Sequence, residues 1–272
     1  MGELVSELDS TKWSTDAWAG GAGGGEPPAP PSQEPDQDRA VTPDDPRWRP
    51  GQVPWGWRRT VLGAFVAAAP VVALNVVAIL SPTTSTSTKP TTAIALSTLV
   101  ITLLIDSWFV FAVWLFSLRR SGLGWRGWGF RRLRPAMAWA VPVSLFGLYV
   151  VESLWAWLIN PKEQTVVEQF PHSTAGLVLL ALTACVVAPV YEEIVFRGFL
   201  FQGLASSWGG VWGGVASATL FGLSHLQLDV FVPLFALGAA LVWIFSYTRT
   251  LWACIALHAL FNGVAVLSWA FV

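Results

Sequence analysis

Between residues 61 and 272 the chain alternates long apolar runs with short polar breaks. The runs are 61–80, 93–118, 137–159, 175–190, 208–226, 230–247 and 251–272. A helix needs about 20 predominantly apolar residues to cross a bilayer. The pattern therefore predicts an all-α fold, a polytopic transmembrane helix bundle of about seven spans. The fourth run leads into Tyr191-Glu192-Glu193-Ile194-Val195-Phe196-Arg197, and its helix is free to continue through Phe201. The fifth is glycine-rich at its start, with Gly209, Gly210, Gly213 and Gly214. Between the runs lie a Ser/Thr/Pro loop at 81–92, a basic loop at 119–134 and a polar loop at 160–173. No repeat at a fixed period stands out.

Composition supports the membrane reading. The chain is 54% hydrophobic and 12% charged, whereas soluble domains carry about 25% charged residues. Its mean hydropathy is +0.54. Seventeen tryptophans suit a protein whose aromatic rings collect at membrane interfaces. Cys185 and Cys254 both fall in apolar runs, so neither a disulfide framework nor a CxxC metal site is expected. No nucleic-acid partner is expected; the bilayer is.

The net charge of −1 hides a division. Residues 1–57 carry ten acids against four bases, and residues 58–272 carry seven acids against twelve bases. The first segment, with its glycine run at 20–25, its proline run at 27–31 and few aliphatics, reads as a disordered acidic tail. It lacks a basic stretch followed by an apolar core, so it is not read as a secretory signal. Arginines set the expected orientation. Arg58 and Arg59 precede the first span, and six arginines fill the loop after the second. The positive-inside rule puts both, and the amino terminus, on the cytoplasmic side of the cell membrane.

Ionisable groups inside apolar runs carry the candidate chemistry. Residues 176–190 contain no charge, yet Glu192 and Glu193 follow directly. A carboxylate at membrane depth is costly unless paired, protonated or bound to a cation, and marks a functional site by default. Residues four apart share a helix face, so Glu193 can pair with Arg197 and leave Glu192, about 100° away, free to face the bundle. Phe221 and His225 have the same spacing, as do His258 and Asn262. Glu192, His225, His258 and Asn262 thus put four polar groups on three apolar helices. Asp106 and Glu152 lie in the second and third runs, where each is expected to pair with a polar neighbour.

Glu192-Glu193-x-x-x-Arg197, Phe221-x-x-x-His225 and His258-x-x-x-Asn262, in this order, resemble the three-motif signature of the CAAX-protease and bacteriocin-processing family, also called CPBP or Abi. The resemblance covers about residues 175–265 within a transmembrane protease-type domain at 58–272, and every motif position matches. It implies a multi-pass intramembrane endopeptidase, usually classed as a metalloprotease, acting on a peptide or a membrane-protein substrate.

Peptide hydrolysis needs an activated water, oxyanion stabilisation and a proton for the leaving amine. Glu192 suits the general base, His225 a partner in holding the water, and His258 and Asn262 donors to the oxyanion. The alternative is a Zn²⁺ or other divalent ion on Glu192 or Glu193, His225 and His258, two histidines and a carboxylate with one open position. HExxH is absent, and both routes stay open. Three other readings fit parts of the same pattern. Gly222-Leu223-Ser224-His225 resembles the Gly-x-Ser core of rhomboid-type serine proteases, with His258 as base. Asp106, Glu152, Glu192 and Glu193 could relay protons in a transporter. A non-catalytic scaffold or immunity protein is the third.

One conflict stands in the linear reading. An up-and-down bundle puts Glu192 and His258 toward the cytoplasmic side, but His225 at the far end of the fifth span, roughly 25 Å from its start. Convergence requires a broken or tilted fifth span, or a fourth span that reaches further.

Overall fold

A computed structural model describes residues 45, 47–80, 89–159 and 169–271. The tail through residue 44, and the loop residues 81–88 and 160–168, lie outside the described residues. Among the described residues every regular element is a helix. They are α1 (Trp57–Leu80), α2 (Thr92–Phe116), α3 (Leu118–Ser121), α4 (Ala140–Ile159), α5 (Thr174–Ala181), α6 (Ala188–Glu193), α7 (Gln202–Ser224), α8 (Phe231–Thr248) and α9 (Leu251–Ala270). Two π-helical stretches, Leu182–Val187 and Ile194–Phe201, join α5, α6 and α7 into one run. Short 3₁₀ turns at Trp125–Trp128 and Pro135–Met137 lead into α4. Six helical runs are long and apolar enough to cross a membrane, and the chain is a multi-pass membrane protein.

The fourth of these runs, Thr174–Ser224, is 51 residues long. Drawn straight it would extend about 76 Å, more than twice the hydrocarbon thickness. It is folded instead. Gly209 sits at φ 80°, ψ 163°, a region essentially closed to other residues, and the chain doubles back there. A Cβ on Gly213 would come within 2.5 Å of the Ala205 backbone nitrogen. Ser217 donates to the Phe196 carbonyl at 3.1 Å, and the Phe196 and Phe221 rings meet edge to face at 5.1 Å. The fourth and fifth apolar runs of the sequence are therefore the two arms of one hairpin. Its turn docks on the start of α1, where Ser207 accepts from the Trp57 amide at 3.1 Å.

Lipid tails are as apolar as leucine, so helices here associate by close packing rather than by escape from water. Small residues permit it. Gly238 of α8 lies against the Ala218 backbone, and Gly214 against Val242. Helix starts are capped locally: Thr91, Ser173 and Thr250 side chains each accept from a first-turn amide. Pro189 has no amide hydrogen to give and its ring crowds the preceding turn. The helix widens into the π-helical Leu182–Val187 just before it.

Residues 47–57 fall within the segment that composition reads as tail, yet they pack on the bundle. Trp48 and Trp55 are fully buried. Trp55 donates to the Phe199 carbonyl at 3.3 Å and stacks on the Phe199 ring. Ser206 returns a hydrogen bond to the Trp55 carbonyl. Two large aromatic surfaces outweigh the local polarity that suggested a solvated chain.

Candidate active site

The hairpin resolves the depth conflict. Gly209 lies sixteen positions after Glu193, and His225 sixteen positions after Gly209. Two antiparallel arms of equal length return His225 to the level of the glutamates. The fourth span reaches further than its apolar run suggested, and the fifth starts at a break.

Glu193 and Arg197 are both fully buried. Arg197 Nη1 donates to Glu193 Oε1 at 3.0 Å, and Nη2 donates to the Gly238 carbonyl at 3.1 Å. The guanidinium lies over the Phe221 ring, 4.5 Å from its centroid. Glu193 has a second partner that sequence spacing did not reveal: His258 Nδ1 lies 2.9 Å from the same Oε1. Arg197, Glu193 and His258 thus form a buried chain across two helices. The paired charges compensate each other in a region where a lone charge is costly.

Glu192, one residue earlier, faces elsewhere. Its side chain is partly exposed, yet Oε2 is a buried atom without a hydrogen-bond partner. That oxygen lies 3.9 Å from His258 Nε2, beyond hydrogen-bond length but within the span a shared water bridges. His258 therefore has one nitrogen against each glutamate.

Phe221 sits between the two histidines. Its ring meets His225 edge to face at 5.1 Å and His258 at 5.6 Å. His225 Nδ1 lies 2.9 Å from the Phe221 carbonyl. A carbonyl only accepts, so Nδ1 carries a proton there, and Nε2 is the nitrogen left outside this contact. Asn262, one turn beyond His258, donates to the Ala184 carbonyl at 2.7 Å. It ties α9 to the widened stretch before Pro189. Ser224 is exposed and donates to the Phe221 carbonyl at 2.8 Å, not to His258.

Asp106 of α2 is the residue the motifs did not flag. Its Oδ2 is buried without a hydrogen-bond partner, and it is close enough to Glu192 for the two carboxylates to repel. Its signal in the sequence was a single acid in an otherwise apolar run. Glu152, on α4, is half-buried beside Tyr149, whose hydroxyl donates to the Phe261 carbonyl at 2.7 Å.

Glu192, His225 and His258 are side chains of the kind that bind a divalent ion. Each imidazole has Nδ1 engaged, which leaves Nε2 as the ligating nitrogen. Among the described residues, however, no three histidine, cysteine or acidic side chains come together closely enough to hold an ion. Glu192, His225 and His258 do not form a three-donor set as they stand.

A hairpin that carries paired glutamates in a multi-pass bundle, faced by two histidines and an asparagine, defines the class: a membrane helix bundle with an intramembrane acid–histidine site. Part of the chain is similar to known proteins. Residues 174–264 match the model of the Rce1-like family, described as type II CAAX prenyl endopeptidase Rce1-like. The chain is also 27% identical over 89 residues to a Bacillus subtilis (strain 168) protein described as "Putative membrane peptidase YdiL". That match covers 33% of this chain and 36% of the relative, so the two are comparable over about a third of each. No solved structure matches significantly. The similarity is confined to the hairpin, α8 and most of α9, about a third of the chain.

Proposed function

We propose that this chain is an intramembrane endopeptidase that hydrolyses a peptide or a membrane-protein substrate with a water activated by Glu192. The observation that carries this is the setting of Glu192 Oε2, buried, without a hydrogen-bond partner, and 3.9 Å from His258 Nε2. A water between them gives its proton to Glu192 as its oxygen attacks the scissile carbonyl. Glu192 then hands that proton to the leaving amine. Glu193, held by Arg197, orients the His258 ring as a carboxylate orients a catalytic histidine. His258 and the second amide hydrogen of Asn262 stabilise the oxyanion, and His225 helps to hold the water.

An apolar cavity of about 410 Å³ lies beside Tyr191, lined by Ser107, Val110, Phe111, Trp114 and Trp125. Its lining from α2 and from Tyr191, the residue before Glu192 in the chain, suits an apolar or lipid-modified stretch of substrate. A site in the cell membrane with the arginine-rich loops inside fits the charge distribution.

Purified wild type and Glu192→Ala in detergent, assayed on a quenched peptide library, test this reading. Cleavage by the wild type that disappears in Glu192→Ala supports it. Equal cleavage by both removes Glu192 from the mechanism. Failure to cleave, together with Glu192-dependent proton uptake into proteoliposomes, would put proton-coupled transport in its place, a reading favoured by the Asp106–Glu192 proximity.

A further inference from the structure

Asp106 is the one charged residue in the 25 residues of α2. Ser107 beside it and Val110 one turn on line the apolar cavity of about 410 Å³ whose lining also includes Tyr191. Asp106 and Glu192 each adjoin, in the chain, a residue of that lining. The opposite side of α2 is fixed against α1: Trp108 Nε1 donates to the Val66 and Ala67 carbonyls at 3.3 and 3.2 Å.

The helix that carries Glu192, α6, packs against both α2 and α9. Glu192 therefore has the Asp106 carboxyl on one side and the His258 imidazole on the other. Asp106 Oδ2 and Glu192 Oε2 are both buried atoms, and neither has a hydrogen-bond partner. The two groups lie within electrostatic reach of each other. No guanidinium joins them, since Arg197 donates to Glu193 and to the Gly238 carbonyl instead. Glu193 itself is engaged by Arg197 and by His258 Nδ1.

Carboxylates facing each other without a cation repel, and more strongly in a low-dielectric interior than in water. Repulsion from α2 leaves the Glu192 carboxyl one favourable direction, toward α9. There Oε2 stands 3.9 Å from His258 Nε2, a span that one water bridges. The arrangement costs stability, because a carboxyl without a partner at membrane depth is expensive. A group held at the expense of stability is a mark of a working site.

We infer that Asp106 is a positioning residue for the hydrolysis proposed above, its charge holding the Glu192 carboxyl on the His258 side where the water is activated. The inference rests on Glu192 being the water-activating group.

The test compares the full chain in detergent as wild type, Asp106→Asn, Asp106→Glu, Glu192→Gln and the double variant Asp106→Asn/Glu192→Gln. Steady-state cleavage and thermal unfolding are both read. Asp106→Asn should lower kcat by about ten- to a hundredfold, the effect of a misplaced reacting group, with KM unchanged. Asp106→Glu, which keeps the charge, should recover most of kcat. Asp106→Asn should also raise the unfolding temperature by about 2–4 °C, because the repulsion is gone. A side chain that only packs would lower both activity and stability.

The unfolding cycle needs no substrate. Asp106→Asn should gain stability beside the native Glu192 and none in the Glu192→Gln background. Glu192→Gln alone trades the repulsion against its own link to His258, so its unfolding temperature stays that of the wild type. An equal change from Asp106→Asn in both backgrounds means that the two groups do not interact, and overturns the inference. So does a raised KM at unchanged kcat, which would make Asp106 a substrate contact. Wild-type cleavage by Asp106→Asn beside an inactive Glu192→Gln overturns the positioning role alone. Wild-type cleavage by Glu192→Gln overturns the role of Glu192 and the inference with it.

Discussion

His258 Nδ1 lies 2.9 Å from Glu193 Oε1 while its Nε2 lies 3.9 Å from Glu192 Oε2. One imidazole thus separates two adjacent glutamates into different roles. Glu193 is fully buried, charge-compensated by Arg197 and shut away from any substrate. Glu192 keeps an oxygen without a hydrogen-bond partner and is partly open. Removing each carboxylate should therefore have a different consequence. Glu192→Gln should lower cleavage by roughly a hundred- to ten-thousandfold and leave the unfolding temperature unchanged. Glu193→Gln should instead destabilise the protein by about 3–5 kcal/mol, because it leaves Arg197 buried without its counter-charge. Peptide cleavage and thermal unfolding of the two variants, measured together, separate these roles; loss of stability in Glu192→Gln would reverse them.

The Arg197–Glu193 pair should be replaceable for stability but not for activity. Apolar residues of similar volume often substitute for a buried ion pair without loss. Glu193→Leu/Arg197→Met should therefore recover most of the stability that either single change removes, in a double-mutant cycle. Cleavage should stay low, because the His258 ring has lost its orienting carboxylate. Full activity in the double variant would show that Glu193 only packs.

Gly209 and Gly213 carry the hairpin by different means. Gly209→Ala meets open space, and its cost, about 1–3 kcal/mol, is backbone strain at positive φ. Gly213→Ala drives a methyl into the Ala205 backbone, an overpacking cost of about 1–3 kcal/mol. Gly210 has open space around it, and Gly210→Ala should be close to neutral. Thermal unfolding of the three variants checks this order. The first two should also lose cleavage, since the turn sets the level of His225 against the glutamates.

Ser224→Ala should retain wild-type cleavage. The hydroxyl is exposed and donates to the Phe221 carbonyl, and removing such a surface group changes stability by no more than about 0.5 kcal/mol. Loss of cleavage in this variant would bring a serine mechanism forward. A chelator should likewise leave cleavage intact if Glu192 activates water unaided. Loss of activity in chelator that added zinc restores would show Glu192, His225 and His258 gathering around an ion.

Trp55→Ala should destabilise by about 3–5 kcal/mol, the cost of emptying a buried aromatic site. Trp55 is buried against Phe199 and donates to its carbonyl. Trp57→Ala, two residues later at an exposed position, should change little. Equal effects in thermal unfolding would mean that residues 47–57 do not anchor the bundle.

Apolar runs of helical length, arginines confined to particular loops and acids in uncharged stretches were all readable from the chain, because hydropathy and intramembrane charge are local properties. The i, i+4 pairs were readable too, since helix geometry fixes which neighbours share a face. Which faces meet is another matter. That His225 stands level with Glu193 depends on the reversal at Gly209, whose φ no sequence pattern states. That His258 bonds Glu193, and that Asn262 spends an amide hydrogen on the Ala184 carbonyl, depends on how α9 crosses α6 and the π-helical turn before it. The burial of Trp48 and Trp55 is likewise a long-range outcome. The sequence by itself determined the helices, their approximate membrane register and the chemical groups at stake. Only the tertiary structure decided which of those groups touch, because packing between helices places atoms to within an ångström where periodicity fixes only a face.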